Sequence, residues 1–283
     1  MRGVIKNIIV LMLENRSFDH MLGFLKEHNP EIEGLTGTES IPVDPRLASR
    51  AGVETVTVSR LAGEESYITD PDPHHEFPDV TLQLFGQESE PSPPIPKNNG
   101  FVASYWWVPD RTGVPIGLER GKAIMKCFDP LIHLPVLSAL AQNFLLCDHW
   151  FCSVPGPTWP NRFFVHAASS NGHVDSPSSL EAMKDEIGLS TYGMRTIYEN
   201  LTEMNLSWKI YYHDFPHALA LTNLHRFSGN FFHFNQFLQD ARMGNLPNYT
   251  FIEPAYFNLP ISKASDQHAS KQASPSSFAR TGE

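Results

Sequence analysis

The sequence has few cysteines and no long apolar run, and both absences exclude whole classes of protein. Its three cysteines, Cys127, Cys147 and Cys152, form no CxxC pair, so a disulfide framework is not expected, although a single Cys147–Cys152 bridge is left open. No apolar stretch reaches the roughly 20 residues of a membrane-spanning helix. The apolar run at 8–13 is too short for a signal peptide and is followed by Glu14 without a cleavage site.

Positive charge is also scarce, because 21 Lys and Arg face 31 Asp and Glu, for a net charge of −10. Such a surface repels nucleic-acid backbones, which argues against a nucleic-acid partner. A phosphate substrate is still compatible, since a bound divalent cation would dominate the local field. The chain contains no P-loop, GxGxxG, GxSxG or HExxH motif. We expect a cytoplasmic protein from the sequence as written, or a secreted one if the true start lies upstream.

The pattern of apolar residues predicts an α/β fold. A near-continuous apolar run at 4–13 is typical of a strand buried on both faces of a parallel sheet, and a short helix at 18–26 follows it. Residues 31–100 are interpreted as a long surface excursion with one ordered island at 72–75. The other predicted elements are helices at 134–144, 162–168 and 196–203 and strands at 144–150, 208–212 and 248–253.

Two short segments carry candidate chemistry. Glu14 and Asn15 follow the first strand, and a carboxylate and an amide oxygen at a strand end can bind a hard cation. The alternative is a loop in which Asn15 or Ser17 caps the next helix. Thr158 lies between prolines in a rigid turn, where a hydroxyl suits a nucleophile. The alternative is an ordinary turn threonine.

The sequence has 13 histidines, and several lie in the predicted ordered segments. The candidates are the His74-His75 pair, His213 after a predicted strand, and His268. Each could donate to phosphate oxygens or protonate a leaving alkoxide. The alternative for each is a surface histidine without a catalytic role.

Taken together, these segments resemble a known phosphoesterase family. It includes bacterial phosphatidylcholine-hydrolysing phospholipase C, plant non-specific phospholipase C and related acid phosphatases. The order of the segments is that of the family and covers nearly all of the chain. The matching segments are Ile8–Leu22, Asp72–His75, Asn99–Phe101, Leu134-Pro135, Cys147–Ser153, Pro157–Arg162, Trp208–His213, Leu246–Glu253 and Asp266–His268.

The resemblance implies an alkaline-phosphatase-like α/β/α sandwich that hydrolyses phosphoric esters, with phospholipids or other phosphate monoesters and diesters as substrates. It implies one divalent cation (Ca²⁺, Mg²⁺, Mn²⁺ or Zn²⁺) held by Glu14 and Asn15. It also implies that Thr158 is both a ligand of that cation and the metal-activated nucleophile, forming a phosphothreonine intermediate. The counterparts of His75, His213 and His268 would contact the phosphoryl group or assist the leaving group.

The sequence departs from the family pattern near its end. The family's Asp-Glu-His-Gly-Gly segment, which supplies the remaining metal ligands, is not found, and Ala269 follows His268 where relatives have proline. We therefore expect a chain truncated at its C-terminus, with a catalytic domain at 1–261 and a polar tail at 262–283 that is not native to the fold. The expected sandwich and metal site are then incomplete.

A missing strand would leave a sheet edge uncovered, so we expect weak or no activity and a tendency to aggregate. The alternative function is a non-catalytic remnant that keeps part of the fold and binds ligand weakly or not at all. Peripheral membrane contact and oligomeric state are left open.

Overall fold

The computed structural model describes residues 5–62, 69–110, 112–176, 192–257 and 264–265. Its contacts divide the chain into two compact units, unit 1 (Met1–Glu14 and Pro157–Asp266) and unit 2 (Asn15–Gly156 and Gln267–Glu283). The strands are β1 Ile8–Leu11, β2 Ser40–Pro42, β3 Thr55–Thr57, β4 Ser59–Arg60, β5 Lys126–Cys127, β6 Trp208–Tyr212, β7 Phe231–His233 and β8 Tyr249–Ile252. The α-helices are α1 Phe18–Leu22, α2 Phe77–Phe85, α3 Phe101–Tyr105, α4 Gly117–Gly121, α5 Pro130–His133, α6 Pro135–Asn143, α7 Thr158–Ala167, α8 Ile197–Glu203 and α9 Phe234–Arg242. Shorter 3₁₀ turns span Gly23–Glu27, Pro45–Leu47, Lys122–Met125, His217–Ala220 and Thr222–Asn230.

Unit 1 is built on a four-stranded sheet in the order β1-β8-β6-β7, and all neighbouring strands run parallel. In the register of this sheet, Leu11 pairs with Ile252 and Ile252 pairs with Tyr211. The segments that follow β1, β8 and β6 therefore leave the sheet at the same edge. Ligands of α/β proteins bind at this end of the sheet, where the carboxyl ends of the parallel strands meet.

The core of unit 1 is rich in aromatic side chains. Tyr198 of α8, Trp208 of β6 and Phe251 of β8 are buried, and Phe163 of α7 belongs to the same cluster. The rings of Tyr198 and Trp208 lie 4.6 Å apart in a tilted arrangement. Each such side chain contributes about 1.5–3 kcal/mol through burial, so this cluster fixes α7 and α8 against the sheet.

Unit 2 contains shorter elements, including the antiparallel pair β2–β3 and the parallel pair β4–β5. The interpretation of 31–100 as a largely structureless excursion was wrong, because β2, β3, β4 and α2 lie inside it. Helix α2 has Pro78 in its first turn and ends at Gly86, whose φ is +69°. Both are ordinary helix boundary signals, but the surrounding Pro, Gly and Ser residues obscured them.

The first strand is shorter and much more exposed than predicted. It spans Ile8–Leu11, and Ile8, Ile9 and Leu11 are 53%, 47% and 53% exposed. The prediction of burial on both faces was wrong, because of these four side chains only Val10 packs against the core cluster of unit 1, and β8 is the only described strand that pairs with β1. Apolar composition by itself indicates that a strand favours burial and does not show what covers it.

The predicted strand at 144–150 was also wrong. Residues 144–150 form no strand, and Leu145 and Trp150 are 92% and 81% exposed. The apolar run resembles a strand in sequence, but no neighbouring strand in the described part of the chain pairs with it. Cys147 and Cys152 are both free, so the bridge left open in the sequence does not form.

The remaining predicted elements are found close to their expected positions. The strands at 208–212 and 248–253 and the helices at 134–144 and 196–203 are confirmed as β6, β8, α6 and α8. The expected helix at 18–26 is divided into α1 and a 3₁₀ turn. Of the predicted tail at 262–283, only residues 264–265 are described. None of the described helices combines the length and the apolar character that a membrane span requires.

Candidate active site

Thr158 is the first residue of α7, not part of a free turn as the sequence suggested. Pro157 precedes the helix in an extended conformation, and Pro160 lies in the first turn, where proline fits a helix. The N-terminus of a helix carries a positive partial charge and unpaired N–H groups, which favour phosphate and oxyanions. Thr158 therefore lies where a phosphoryl group could be received.

Arg162 lies one helical turn after Thr158 and links α7 to the end of β1. Its side chain is 1% exposed. Its Nε and Nη2 donate to Glu14 Oε1 at 3.1 and 3.0 Å, and Nη2 also donates to the Met12 carbonyl at 3.2 Å. Because residues four apart share a helix face, this ion pair places the Glu14 carboxylate beside the face that begins with Thr158.

Glu253 follows β8 directly and is completely buried. It accepts from the backbone N–H groups of His217 and Ala218 at 2.7 and 3.1 Å and from the Tyr256 hydroxyl at 3.2 Å. Burial raises the pKa of Glu253, while Arg162 and the two backbone N–H groups oppose that shift. The carboxylate thus caps the 3₁₀ turn that begins at His217.

The charge of Arg162 interacts with two carboxylates, those of Glu14 and Glu253. Burial by itself lowers the pKa of Arg162, but Tyr256, Glu14 and Glu253 raise it more, so the guanidinium stays charged. Its carbon Cζ lies 5.0 Å from the centre of the Tyr256 ring. We call Glu14, Arg162, Glu253 and Tyr256 the charge cluster of unit 1.

His213 follows β6 at the same edge of the sheet. Its Nδ1–H donates to the Glu253 carbonyl at 2.9 Å, and its ring stacks on Phe234 with centroids 4.1 Å apart. Burial lowers the pKa of His213, which favours the neutral ring with a proton on Nδ1. The other nitrogen, Nε2, is then an acceptor, as required of a group that receives or relays a proton.

His166 lies one turn beyond Arg162 and makes the stability of unit 1 depend on pH. Burial lowers its pKa to about 3, and Arg162 acts in the same direction. An unfolded histidine titrates near 6.5, so below that pH the unfolded state binds a proton that the folded state does not. As the pH falls from 6.5 towards 3, we expect unit 1 to lose about 1.4 kcal/mol per pH unit.

A urea titration read by pulsed hydrogen exchange at β8 would measure this slope between pH 6.5 and 4.5. His166→Gln should flatten it, because glutamine has no proton to gain. His225→Gln alters an exposed histidine of the same unit and should leave the slope as it is. A slope that persists in His166→Gln would assign the pH dependence to other groups.

Two of the predicted site residues belong to unit 2 and are described there. Asn15 has φ of +75°, a left-handed conformation that asparagine tolerates better than most residues. Ser17 caps α1 by accepting from the His20 N–H, so the capping alternative is confirmed for Ser17. The Nδ1–H of His75 donates to the Pro73 carbonyl at 2.8 Å. His268 lies outside the described residues.

The described side chains supply only part of the donor set that the expected divalent cation requires. Glu14, Asn15 and Thr158 offer oxygen atoms, the right chemical kind for a hard cation. Within the described ranges, however, no three or more His, Cys, Asp or Glu side chains are grouped so that they could hold a metal ion. Oxygen Oε1 of Glu14 is also bound twice by Arg162. The described donor set therefore does not fit a complete cation site.

Comparison with known protein families identifies the family of this chain. The model of the phosphoesterase family matches residues 5–278. The chain belongs to the phosphoesterase family. The resemblance inferred from the sequence motifs is thereby confirmed, and a mixed α/β fold with a parallel sheet is compatible with it.

The similar phosphoesterases include plant and bacterial phospholipases C. Non-specific phospholipase C3 of Arabidopsis thaliana is 38% identical over 269 residues, covering 93% of this chain and 48% of the relative. Non-specific phospholipase C4 of the same plant is 37% identical over 279 residues, with 95% and 48% covered. Phospholipase C B of Mycobacterium tuberculosis is 27% identical over 288 residues, with 89% and 50% covered. The chain thus spans about half the length of these phosphoesterases.

The structure also identifies residues of this chain to which the sequence assigned no role. Arg162 and Glu253 stand at the ends of two matching segments, but nothing in their spacing showed that the charge of Arg162 would act on the carboxylates that follow two neighbouring strands. The available signal was the four-residue interval between Thr158 and Arg162, which places both on one face of a helix. Tyr256 and His217, whose rings stack 3.7 Å apart, gave no such signal.

Proposed function

We propose that this chain carries the nucleophile of a phosphoric ester hydrolase of the phospholipase C type, on an alkaline-phosphatase-like α/β/α sandwich. Its substrates would be phospholipids or other phosphate monoesters and diesters. The observation that carries the proposal is the position of Thr158 at the N-terminus of α7, one turn from the ion pair of Arg162 with Glu14. Family membership and the names of the phospholipase C relatives support it.

In the proposed reaction, the Thr158 oxygen forms a bond to phosphorus while the ester bond to the leaving oxygen breaks. The Thr158 proton is lost, the leaving alkoxide gains a proton, and a phosphothreonine remains. Water then attacks the phosphorus, releases the phosphate product and restores the hydroxyl. The positive partial charge at the start of α7 would stabilise charge on the phosphoryl oxygens.

Histidines would handle the protons and contact the phosphoryl group. His213 supports this role because its Nδ1–H is held by the Glu253 carbonyl, which leaves Nε2 as the acceptor. The same assignment for His75 and His268 rests on the resemblance to the family. The proposal is tested by whether the chain releases p-nitrophenol from p-nitrophenylphosphorylcholine and acquires the phosphorylcholine group on Thr158.

We also propose Glu14, Asn15 and Thr158 as ligands of one divalent cation. Three oxygen donors are few for a cation that takes six or more, so we expect a single weak site with a dissociation constant above about 10⁻⁴ M. Calorimetric titration with Ca²⁺, Mg²⁺, Mn²⁺ and Zn²⁺ would measure it. Glu14→Gln should abolish the heat of binding.

The matched control is Glu203→Gln, which alters an exposed carboxylate paired with Arg195 in the same unit. It should leave the titration unchanged. A wild-type chain that binds none of the four cations would favour the second candidate function, a non-catalytic member of the family. That candidate is favoured by the ion pair, because Arg162 donates twice to Glu14 Oε1, an oxygen that would otherwise bind the cation.

A further inference from the structure

The sequence contains two Asn-Gly pairs, Asn99-Gly100 and Asn171-Gly172, and the structure places them in different surroundings. An Asn-Gly pair is prone to lose its side-chain amide, because glycine has no Cβ to hinder attack by its own backbone nitrogen on the amide carbon of the preceding residue. The attack requires a backbone nitrogen that is not held in a hydrogen bond and an asparagine side chain that can move towards it. The two pairs differ in both respects.

The pair Asn171-Gly172 lies in an exposed turn of unit 1, shortly after α7. The turn is closed by the His173 N–H, which donates to the Ser170 carbonyl at 3.1 Å. Asn171 and Gly172 are both exposed and have φ of +54° and +81°, the signs typical of a type I′ turn. No described backbone carbonyl accepts from the Gly172 N–H. A methyl group built on Gly172 would have no described atom within 4 Å, so the nitrogen is open to the reaction.

The pair Asn99-Gly100 is packed against α2 in unit 2. Gly100 is buried, and its N–H donates to the Gln83 carbonyl at 3.1 Å. A Cβ built on Gly100 would clash with the Leu82 carbonyl oxygen. The side-chain oxygen Oδ1 of Asn99 is buried as well. Reaction at Asn99 therefore requires this part of unit 2 to open first.

We propose that Asn171 is a site of spontaneous deamidation. The Gly172 backbone nitrogen forms a bond to Cγ of Asn171, and the bond from Cγ to Nδ2 breaks. The proton of the Gly172 nitrogen leaves with Nδ2 as ammonia, and a succinimide ring remains. Water then opens the ring at either carbonyl and leaves aspartate or isoaspartate at position 171. The reaction consumes water and requires neither an enzyme nor a cofactor.

The modified turn lies next to the core of unit 1. Ser170, on one side of the pair, is 4% exposed. His173, on the other side, packs edge-on against the core residue Tyr192, with ring centroids 4.8 Å apart. Both products add a negative charge between these two anchored residues, and isoaspartate also lengthens the backbone there by a methylene group.

Peptide mapping of the folded 283-residue chain after incubation at mildly alkaline pH tests the proposal. We expect aspartate and isoaspartate to accumulate at position 171 at least tenfold faster than at position 99. In urea the two rates should agree within about twofold, because the dipeptide is the same and only the fold separates the two sites. Isoaspartate is detected by methylation with an isoaspartyl methyltransferase, and total deamidation by the gain in peptide mass.

Gly172→Ala should slow the reaction at Asn171 at least tenfold, since the added methyl group hinders the attacking nitrogen. The matched control is Gly244→Ala. Gly244 is also an exposed glycine of unit 1, with φ of +70° and no described atom within 4 Å of an added Cβ. Alanine therefore introduces the same kind of backbone strain there, but Gly244 does not follow an asparagine. The control should leave the rate at Asn171 unchanged.

Equal rates at positions 171 and 99 in the folded chain would overturn the proposal, as would an unchanged rate in Gly172→Ala. So would a folded chain in which position 171 stays intact while both positions react in urea. None of these measurements depends on hydrolysis of a phosphoric ester, so their failure is separate from failure of the proposed function.

Discussion

Arg162→Met should destabilise unit 1 by about 3–5 kcal/mol, the usual cost of removing one partner from a buried ion pair. The guanidinium is 1% exposed and donates twice to Glu14 and once to the Met12 carbonyl. Methionine fills much of the same volume but supplies no charge, so Glu14 and Glu253 would lose their shared cation. A urea titration read by pulsed hydrogen exchange at β6 and β8 would measure the free energy of unfolding.

Arg195→Met is the matched control, because Arg195 forms an exposed ion pair with Glu203 on the same unit. Exposed pairs contribute at most about 1 kcal/mol, so the control should change little. Adding Glu14→Gln to Arg162→Met should recover at least about 1 kcal/mol, because a carboxylate without its partner is removed. A loss below about 1 kcal/mol in Arg162→Met would show that the charge cluster does not hold unit 1 together.

Thr158→Ala should lower hydrolysis of p-nitrophenylphosphorylcholine by about 10³-fold or more, since losing a nucleophile removes the covalent route. Alanine is compatible with the first turn of a helix, so α7 should still form. The measurement is kcat with and without the substitution, together with mass spectrometry of the peptide that contains residue 158. The phosphorylcholine group left after loss of p-nitrophenol should be found on Thr158 in the wild-type chain and be absent from the variant.

Thr158→Ser is the control for this prediction, because serine keeps the hydroxyl at the start of α7. It should retain measurable turnover, because the hydroxyl is the group proposed to attack phosphorus. Equal turnover by Thr158→Ala and the wild-type chain would exclude Thr158 as the nucleophile. No turnover by either would favour the non-catalytic candidate.

Local sequence signals were sufficient for several elements of the fold. The strands at 208–212 and 248–253 and the helix at 196–203 were all predicted, and the structure shows that Thr196 and Glu199 form the capping box of that helix, α8. The motifs around Glu14 and Thr158 were sufficient to identify the family. These features depend on residues close together in the chain, which is why the sequence alone reveals them.

Burial and pairing could not be predicted in the same way. Residues 144–150 have the composition of a strand and form none, and Ile8–Leu11 has the composition of an interior strand and lies at an edge. A strand needs a partner for its backbone groups, and the identity of that partner is a property of the whole sheet. The start of α7 at Thr158 was also missed, because the prolines around it suggested a turn.

The sequence by itself determined the family, the α/β class and the candidate residues Glu14, Asn15, Thr158, His75, His213 and His268. Only the tertiary structure showed that Arg162, 148 residues after Glu14, is buried against it and lies close to Glu253. Motifs record which residues are present, whereas burial and long-range charge pairing arise only when distant segments pack. For that reason the structure was needed to find the charge cluster.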